Sequence, residues 1–141
     1  MSFDPVDYDI PSSYKHWEGD TAEDYIGPFF FFMDGEHPRT AFRVQTHHCN
    51  AHNTLHGGVL MAFADYTLCL GANAGSNEES VATVTCNNEF VAPAHHGELV
   101  VGEAETIRRG KSMVFMRCTL KVDDRVVLTS SAVIKRLQNR S

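Results

Sequence analysis

One long apolar segment, residues 55–74, limits what this chain can fold into more than any other feature. Apolar residues occupy every face of a helix drawn over it, which is typical of a helix enclosed by the rest of a domain. At a rise of about 1.5 Å per residue, such a helix is a rod of roughly 30 Å. Asp65, Thr67 and several glycines interrupt the segment. It therefore predicts a buried central helix and not a membrane span.

The sequence on both sides of this helix predicts strands, because it is rich in Val, Thr, Ile and Phe. Two strands are predicted before the helix and four after it, at residues 29–32, 40–46, 81–92, 98–107, 113–122 and 126–137. Short turns at residues 110–111 and 123–124, and a longer one over residues 93–97, predict that consecutive strands are antiparallel neighbours. The expected fold class is α+β, an antiparallel sheet of about six strands wrapped around one long helix.

The domain organisation predicted from the sequence is simple. No internal repeat or low-complexity linker divides the 141 residues. Residues 25–141 are expected to form a single domain, and residues 1–24 an N-terminal extension that is either a short helix or a tail.

Composition excludes several classes of partner. The formal net charge is -6 and Lys and Arg form no extended patch, so nucleic acid is not an expected partner. The acidic and aromatic N-terminus lacks the features of a signal peptide, which favours the cytoplasm. The four cysteines lie far apart in the sequence, as is typical of core residues in a reducing compartment.

Asp65 is the one acidic residue within the apolar segment. A carboxylate among apolar neighbours costs several kcal/mol unless it is paired, bound to a metal or exposed in a cleft. The segment contains no Lys or Arg that could pair with it. A cleft is the best explanation, and a carboxylate in a cleft is suited to act as a general base or a nucleophile. The alternative is a structural carboxylate bonded to Thr or backbone groups.

Three motifs carry a resemblance to a known family. They are N-A-x-x-T-L-H-G-G-V-L-x-A-x-x-D from Asn50 to Asp65, E-F-V-A-P-A-x-x-G-E from Glu89 to Glu98, and R-R-G-K-S at residues 108–112. Together they resemble the hotdog-fold acyl-CoA thioesterases of the phenylacetate-pathway and thioesterase-superfamily-member type. The resemblance extends over residues 29–137, nearly the whole chain.

This resemblance implies a function and a set of site residues. It implies hydrolysis of an acyl- or aryl-CoA to the free acid and coenzyme A, without a further cofactor, by a homodimer that pairs into a homotetramer. The implied catalytic residues are Asp65, Asn50, Gly57, His56 and Thr83. Gly57 N–H would hold the oxyanion with help from Asn50, His56 would shape the turn, and Thr83 would bond the attacking water. The implied coenzyme A contacts are Gly58, Arg108, Arg109, Gly110, Lys111 and Ser112.

Several simpler interpretations stay open at this point. Gly57 and Gly58 can serve close packing of the helix, Asn50 can cap a turn, and Arg108, Arg109 and Lys111 can form a solvated hairpin tip. The histidines at residues 47–56 match no familiar zinc motif, so no metal site is expected. Two alternative functions are a non-catalytic acyl-CoA binding module and a hotdog enoyl-CoA hydratase.

Overall fold

The computed structural model describes residues 2–76 and 78–137, which form one antiparallel sheet packed on one long helix. The strands are β1 (Lys15–His16), β2 (Phe30–Asp34), β3 (His37–Arg43), β4 (Val81–Phe90), β5 (Leu99–Arg109), β6 (Met113–Val122) and β7 (Arg125–Arg136). The helices are α1 (Thr21–Ile26) and α2 (Gly57–Ala72), with 3-10 turns at Pro5–Tyr8 and Thr46–His48. The α+β class and the central helix predicted from the sequence are confirmed, and the sheet has one short strand more than expected.

The strand order is β1-β2-β3-β5-β6-β7-β4, with every neighbouring pair antiparallel. The hairpins predicted at residues 110–111 and 123–124 are confirmed as the β5–β6 and β6–β7 turns. The prediction that residues 93–97 join two neighbouring strands is wrong, because β4 pairs with β7 and β5 pairs with β3 and β6. Ala94 and His95 of this segment bond instead to the loop before α2. Leu55 N donates to Ala94 O at 2.8 Å, and His95 forms a bridge with Thr54.

The bounds of α2 follow from its two caps. His56 caps the start, because its Nδ1 accepts a hydrogen bond from Gly58 N at 2.9 Å. At the other end Ala74 has a φ of 53° and Gly75 N donates to Leu70 O at 2.9 Å, which is the pattern of a Schellman motif. The helix is therefore 16 residues long, and is shorter at both ends than the apolar segment.

The core lies between α2 and the sheet. Phe29, Phe42 and Phe63 form its aromatic centre, with ring centroids 4.7 to 5.2 Å apart. The N-terminal extension adds to the same sheet, since His16 of β1 pairs with Phe30 of β2. No helix in the described ranges is long and apolar enough to cross a membrane.

Candidate active site

The side chains of Asp65 and Thr83 meet between the middle of α2 and the edge strand β4. Thr83 Oγ1 donates a hydrogen bond to Asp65 Oδ1 at 2.5 Å. A β-bulge shifts the register of β4 between Thr83 and Thr85, and bulges often redirect a side chain beside a functional site. Within the described part of the chain, Asp65 Oδ2 has no hydrogen-bond partner. It is available to a ligand or a water molecule.

Cys69 lies one helical turn after Asp65 and contacts the same pair. Its Sγ is 3.8 Å from Asp65 Oδ1 and 3.5 Å from Thr83 Oγ1. Burial, followed by the charge of Asp65, raises the pKa of the Cys69 thiol to about 12. Because only a thiolate is an effective nucleophile, Cys69 packs beside the carboxylate without competing with it.

Asp65 and Thr83 are part of the wall of a cavity of about 440 Å³. Its apolar lining includes Trp17, Leu70 and Val81, while Asp20, Glu23 and Tyr66 supply polar groups. A second cavity, of about 480 Å³ on β5 and β6, has charged side chains at half of its lining positions and includes neither Asp65 nor Thr83. Of the two, the cavity beside Asp65 is the one that contains the hydrogen-bonded Asp65–Thr83 pair.

Glu23 adds a carboxyl group from α1 to the lining of this cavity. It lies on α1, where Asp20 caps the helix by accepting a hydrogen bond from Glu23 N at 3.0 Å. Burial, and then the negative charge of Asp20, raises the pKa of Glu23 to about 8, with Asp65 and Asp24 adding to the effect. Glu23 is therefore mostly protonated at neutral pH, so that it can donate as well as accept a hydrogen bond.

The N-terminus of α2 presents one free backbone donor. Val59 N and Leu60 N both donate to His56 O, and Gly58 N donates to the His56 ring. Gly57 N is the remaining donor of this turn and has no partner within the described residues. It lies at the positive end of the helix dipole. A Cβ at Gly57 would lie 3.2 Å from the ring of Phe90, so that glycine keeps this donor accessible.

Asn50 caps the turn before α2, as the simpler interpretation expects. Its Oδ1 accepts hydrogen bonds from His52 N at 2.9 Å and from Thr54 N and Oγ1, both at 3.1 Å. These donors fix which end of the amide is the oxygen. Nδ2 has no partner in residues 2–76 and 78–137, and remains able to donate to a ligand.

The free donor and the carboxylate are far apart within one chain. Gly57 and Asp65 are both on α2, and their spacing of eight residues separates them by about 12 Å along the axis. An oxyanion needs a donor at about 3 Å, and a general base must reach the attacking water at a similar distance. Gly57 N and the Asp65 carboxylate of the same chain therefore cannot both contact a single carbonyl group.

Arg109, one of the expected coenzyme A contacts, is bonded within the chain. Its guanidinium donates to Ala72 O at the end of α2 at 2.5 Å and to Glu79 Oε2 at 2.6 Å. Arg136 bonds the other oxygen of Glu79. The structure thus gives Arg109 a role in holding the β5–β6 turn against the helix.

The remaining residues of the R-R-G-K-S turn have two roles: two backbone carbonyl groups hold the turn in place, and two basic side chains are exposed. Gly110 O and Ser112 O accept hydrogen bonds from Arg136, which fixes the shape of the turn. The side chains of Arg108 and Lys111 are exposed. They are the two basic groups of this turn that are positioned to meet an anionic ligand.

His48, among the histidines before α2, has a structural role. His48 is buried, and its ring accepts from Gln45 N and donates to Ile26 O and Gly27 O at 2.9 and 3.0 Å. It fixes the end of α1 to the core. Residues 2–76 and 78–137 contain no group of three or more His, Cys, Asp or Glu side chains that could hold a metal ion.

The sequence interpretation missed Glu23 and Tyr66. Both line the cavity with Asp65, but neither belongs to a motif that the resemblance rests on. A signal for Glu23 is present in the sequence, because Asp20-x-x-Glu23 is the pattern of a helix N-cap. It predicts α1 but cannot show which surface α1 packs on.

Comparisons with known proteins identify the family of this chain. Residues 52–129 match the model of the thioesterase superfamily. A Pseudomonas aeruginosa protein, PA0474, whose name describes it as a candidate esterase, is 32% identical over 113 residues, which are 78% of this chain and 84% of that protein.

Solved structures share the fold. The PaaI protein of the Escherichia coli phenylacetic acid degradation operon superposes with a TM-score of 0.78 at 18% identity, covering 86% of this chain and 88% of PaaI. A hypothetical thioesterase from Streptococcus pneumoniae, solved with coenzyme A, gives a TM-score of 0.71 at 16% identity, covering 80% of this chain and 91% of its own. The hotdog fold expected from the sequence is confirmed.

Proposed function

Since the chain belongs to the thioesterase superfamily and is a hydrolase acting on thioester bonds, we propose that it hydrolyses an acyl- or aryl-coenzyme A to the free acid and coenzyme A. The observation that carries this proposal is the hydrogen-bonded pair of Asp65 and Thr83 in the wall of a cavity. The likeness to a fold neighbour solved with coenzyme A supports the choice of thioester.

In the proposed reaction Asp65 acts on the thioester carbonyl as a general base or as a nucleophile. Thr83 donates to Oδ1 and leaves Oδ2 free to take a proton from a water molecule, whose oxygen then bonds to the carbonyl carbon. The negative charge that forms on the carbonyl oxygen is held by Gly57 N–H and Asn50 Nδ2. When the carbon–sulfur bond breaks, the thiolate of coenzyme A takes up the proton from Asp65 and leaves as the thiol.

We propose that two chains form each site. The distance between Gly57 and Asp65 within one chain supports this proposal, in which Asp65 and Thr83 of a second copy meet the first chain's Asn50 and Gly57. The free edge of β4 is a surface for this pairing, because β4 is the last strand of the sheet and leaves Val84 and Phe90 exposed. Dimers of this kind are proposed to pair again into tetramers.

The exposed side chains of Arg108 and Lys111 are proposed to hold the phosphates of coenzyme A. Arg109 supports the same turn by donating a hydrogen bond to Ala72 O at the end of α2. The four free cysteines fit the reducing conditions of the cytoplasm, where we propose that the enzyme acts.

The release of free thiol from a panel of acyl-CoA thioesters tests the proposal. We expect release at similar rates by the unmodified chain and by Asp124→Asn, a control at an exposed turn, and release at least about a hundredfold slower by Asp65→Asn. A binding module would bind the thioester without releasing thiol. A hydratase would add water to an enoyl-CoA and leave its thioester intact. Thiol release by Asp65→Asn at a rate close to that of the unmodified chain would refute the assigned role of this carboxylate.

A further inference from the structure

The carboxylate of Glu79 is bonded to a different arginine at each of its two oxygens. Arg109 donates to Oε2 at 2.6 Å, and Arg136 Nε donates to Oε1 at 2.5 Å. Only 24% of the Glu79 side chain is exposed. Burial opposes its ionisation, but the hydrogen bonds and charges of Arg136 and Arg109 outweigh burial and hold the pKa of Glu79 below its ordinary value. Glu79 is therefore a carboxylate at neutral pH, and both of its oxygens have a cationic partner.

Both arginines lead from Glu79 to the turn between β5 and β6, residues 108–112. Arg109 belongs to this turn. Arg136, at the end of β7, reaches the turn twice, because its Nη1 donates to Gly110 O at 3.2 Å and its backbone N donates to Ser112 O at 2.8 Å. Glu79 therefore acts on the shape of the turn through two separate side chains.

Glu79 also belongs to the segment that leads to the proposed catalytic pair. It lies just before β4, the strand that carries Thr83, and it forms part of the wall of the cavity beside Asp65. The next residue is fixed as well, since Ser80 O accepts a hydrogen bond from Leu137 N at 2.9 Å. The Glu79 carboxylate thus joins the approach to the catalytic pair to the β5–β6 turn. A ligand held by that turn must present its reacting carbon within about 3 to 3.5 Å of the attacking group, so the position of the turn matters.

We propose that Glu79 is a positioning residue for coenzyme A, which holds the turn in the shape in which Arg108 and Lys111 meet the phosphates. Glu79 does not touch the substrate in this role and acts only through its two arginines. A turn that is already ordered loses less conformational freedom when it binds, which strengthens binding. This inference rests on the proposed thioesterase function, and it adds to the site a residue that lies outside the motifs of the resemblance.

The test compares two thioesters of one acyl group, chosen as the group that releases thiol fastest in the acyl-CoA panel. One is the coenzyme A thioester, and the other is the N-acetylcysteamine thioester, which has no nucleotide and no phosphate. Glu79→Gln keeps the size of the side chain and removes its charge. We expect it to raise KM for the coenzyme A thioester by about tenfold with kcat unchanged, and to leave kcat/KM for the N-acetylcysteamine thioester unchanged.

Glu98→Gln is the matched control. Glu98 is 26% exposed, and both of its oxygens accept from Arg125, at 2.7 and 2.8 Å. This variant loses a similar ion pair at the opposite end of β5 and β6, and is expected to leave KM for the coenzyme A thioester unchanged. Arg136→Ala removes the bonds to Glu79 and to Gly110 O together. It is expected to raise KM as Glu79→Gln does, and carries the test if Glu79→Gln does not fold.

A combined variant shows whether Glu79 acts through the turn. In a chain that already carries Arg108→Ala and Lys111→Ala, the side chains that Glu79 is proposed to position are absent. Adding Glu79→Gln to this chain is therefore expected to raise KM for the coenzyme A thioester no further. A further tenfold rise in this background would show that Glu79 acts by another route, and would refute the proposal.

The remaining outcomes separate this role from the function on which it rests. If Glu79→Gln impairs both thioesters equally or neither of them, the positioning role is refuted and the thioesterase function stands. A lower KM for the coenzyme A thioester would reverse the assignment, because it would show that Glu79 competes with the phosphates for Arg109. If the unmodified chain releases thiol from no thioester, the proposed function fails, and the positioning role fails with it.

Discussion

Replacing Glu23 by Gln should change how the stability of the protein depends on pH. The pKa of Glu23 is about 8 in the folded chain, against 4.5 for an ordinary Glu. The folded state therefore holds a proton that the unfolded state releases, and this contribution to stability is present below pH 4.5 and is lost as the pH rises to 8. The full difference corresponds to at most about 5 kcal/mol, at about 1.4 kcal/mol for each pH unit. Because Glu23 is only half-buried, we expect about 2 to 3 kcal/mol.

Urea denaturation at several pH values measures this effect, at one fixed protein concentration because an assembly unfolds in a concentration-dependent way. We expect Glu23→Gln to match the unmodified protein near pH 4.5 and to exceed its free energy of unfolding by about 2 to 3 kcal/mol at pH 8. Glu18→Gln, at an exposed position, should follow the unmodified protein throughout. Parallel curves for Glu23→Gln and the unmodified protein would show that Glu23 is an ordinary solvated carboxylate.

Six further substitutions, at five positions, test the site. Asp65→Asn should lower kcat by at least about a hundredfold with little change in ligand affinity, as single-turnover and binding measurements can show. Thr83→Ala should lower kcat by about tenfold and Thr83→Ser should restore it, because the hydroxyl bond to Asp65 contributes about 1 kcal/mol; a serine enzyme as slow as the alanine enzyme would indicate a packing role. Arg108→Ala and Lys111→Ala should each raise KM without changing stability, whereas Arg109→Ala should lower the midpoint of urea unfolding, because Arg109 bonds the end of α2. Unchanged KM in the first two would place the phosphates elsewhere.

The parts of the fold that were predictable are those that local sequence determines. The apolar residues on every face of the segment predict α2 and its burial, and two-residue turns predict the β5–β6 and β6–β7 hairpins. The position of β4 was not predictable in this way. Residues 93–97 look like a hairpin turn, but Ala94 and His95 bond to the loop before α2. The sequence of the turn alone does not determine which distant segment it will bond to.

The same distinction holds for the site. Asp65 is conspicuous in the sequence because burying an unpaired carboxylate in an apolar helix is energetically costly. The resemblance adds Thr83, which donates a hydrogen bond to Asp65 in the structure. Glu23 does not stand out, since it lies in a polar N-terminal segment where an acid needs no explanation. Its altered chemistry comes from the packing of α1 against α2. Arg109 illustrates the opposite case, because the motif assigns it to a ligand while the fold bonds it to Ala72 and Glu79.

The central claim is that Asp65 of one chain and Asn50 and Gly57 of another act on the same thioester. Co-refolding equal amounts of Asn50→Ala and Asp65→Asn chains tests it directly, with mass spectrometry to confirm that hybrid dimers form. Half of the random dimers are hybrids, and each hybrid has one intact and one doubly altered site. Thiol release should therefore recover to roughly a quarter of that of the unmodified enzyme, although each variant alone is inactive. Hybrid dimers that release no thiol above the level of the two separate variants would contradict the shared site.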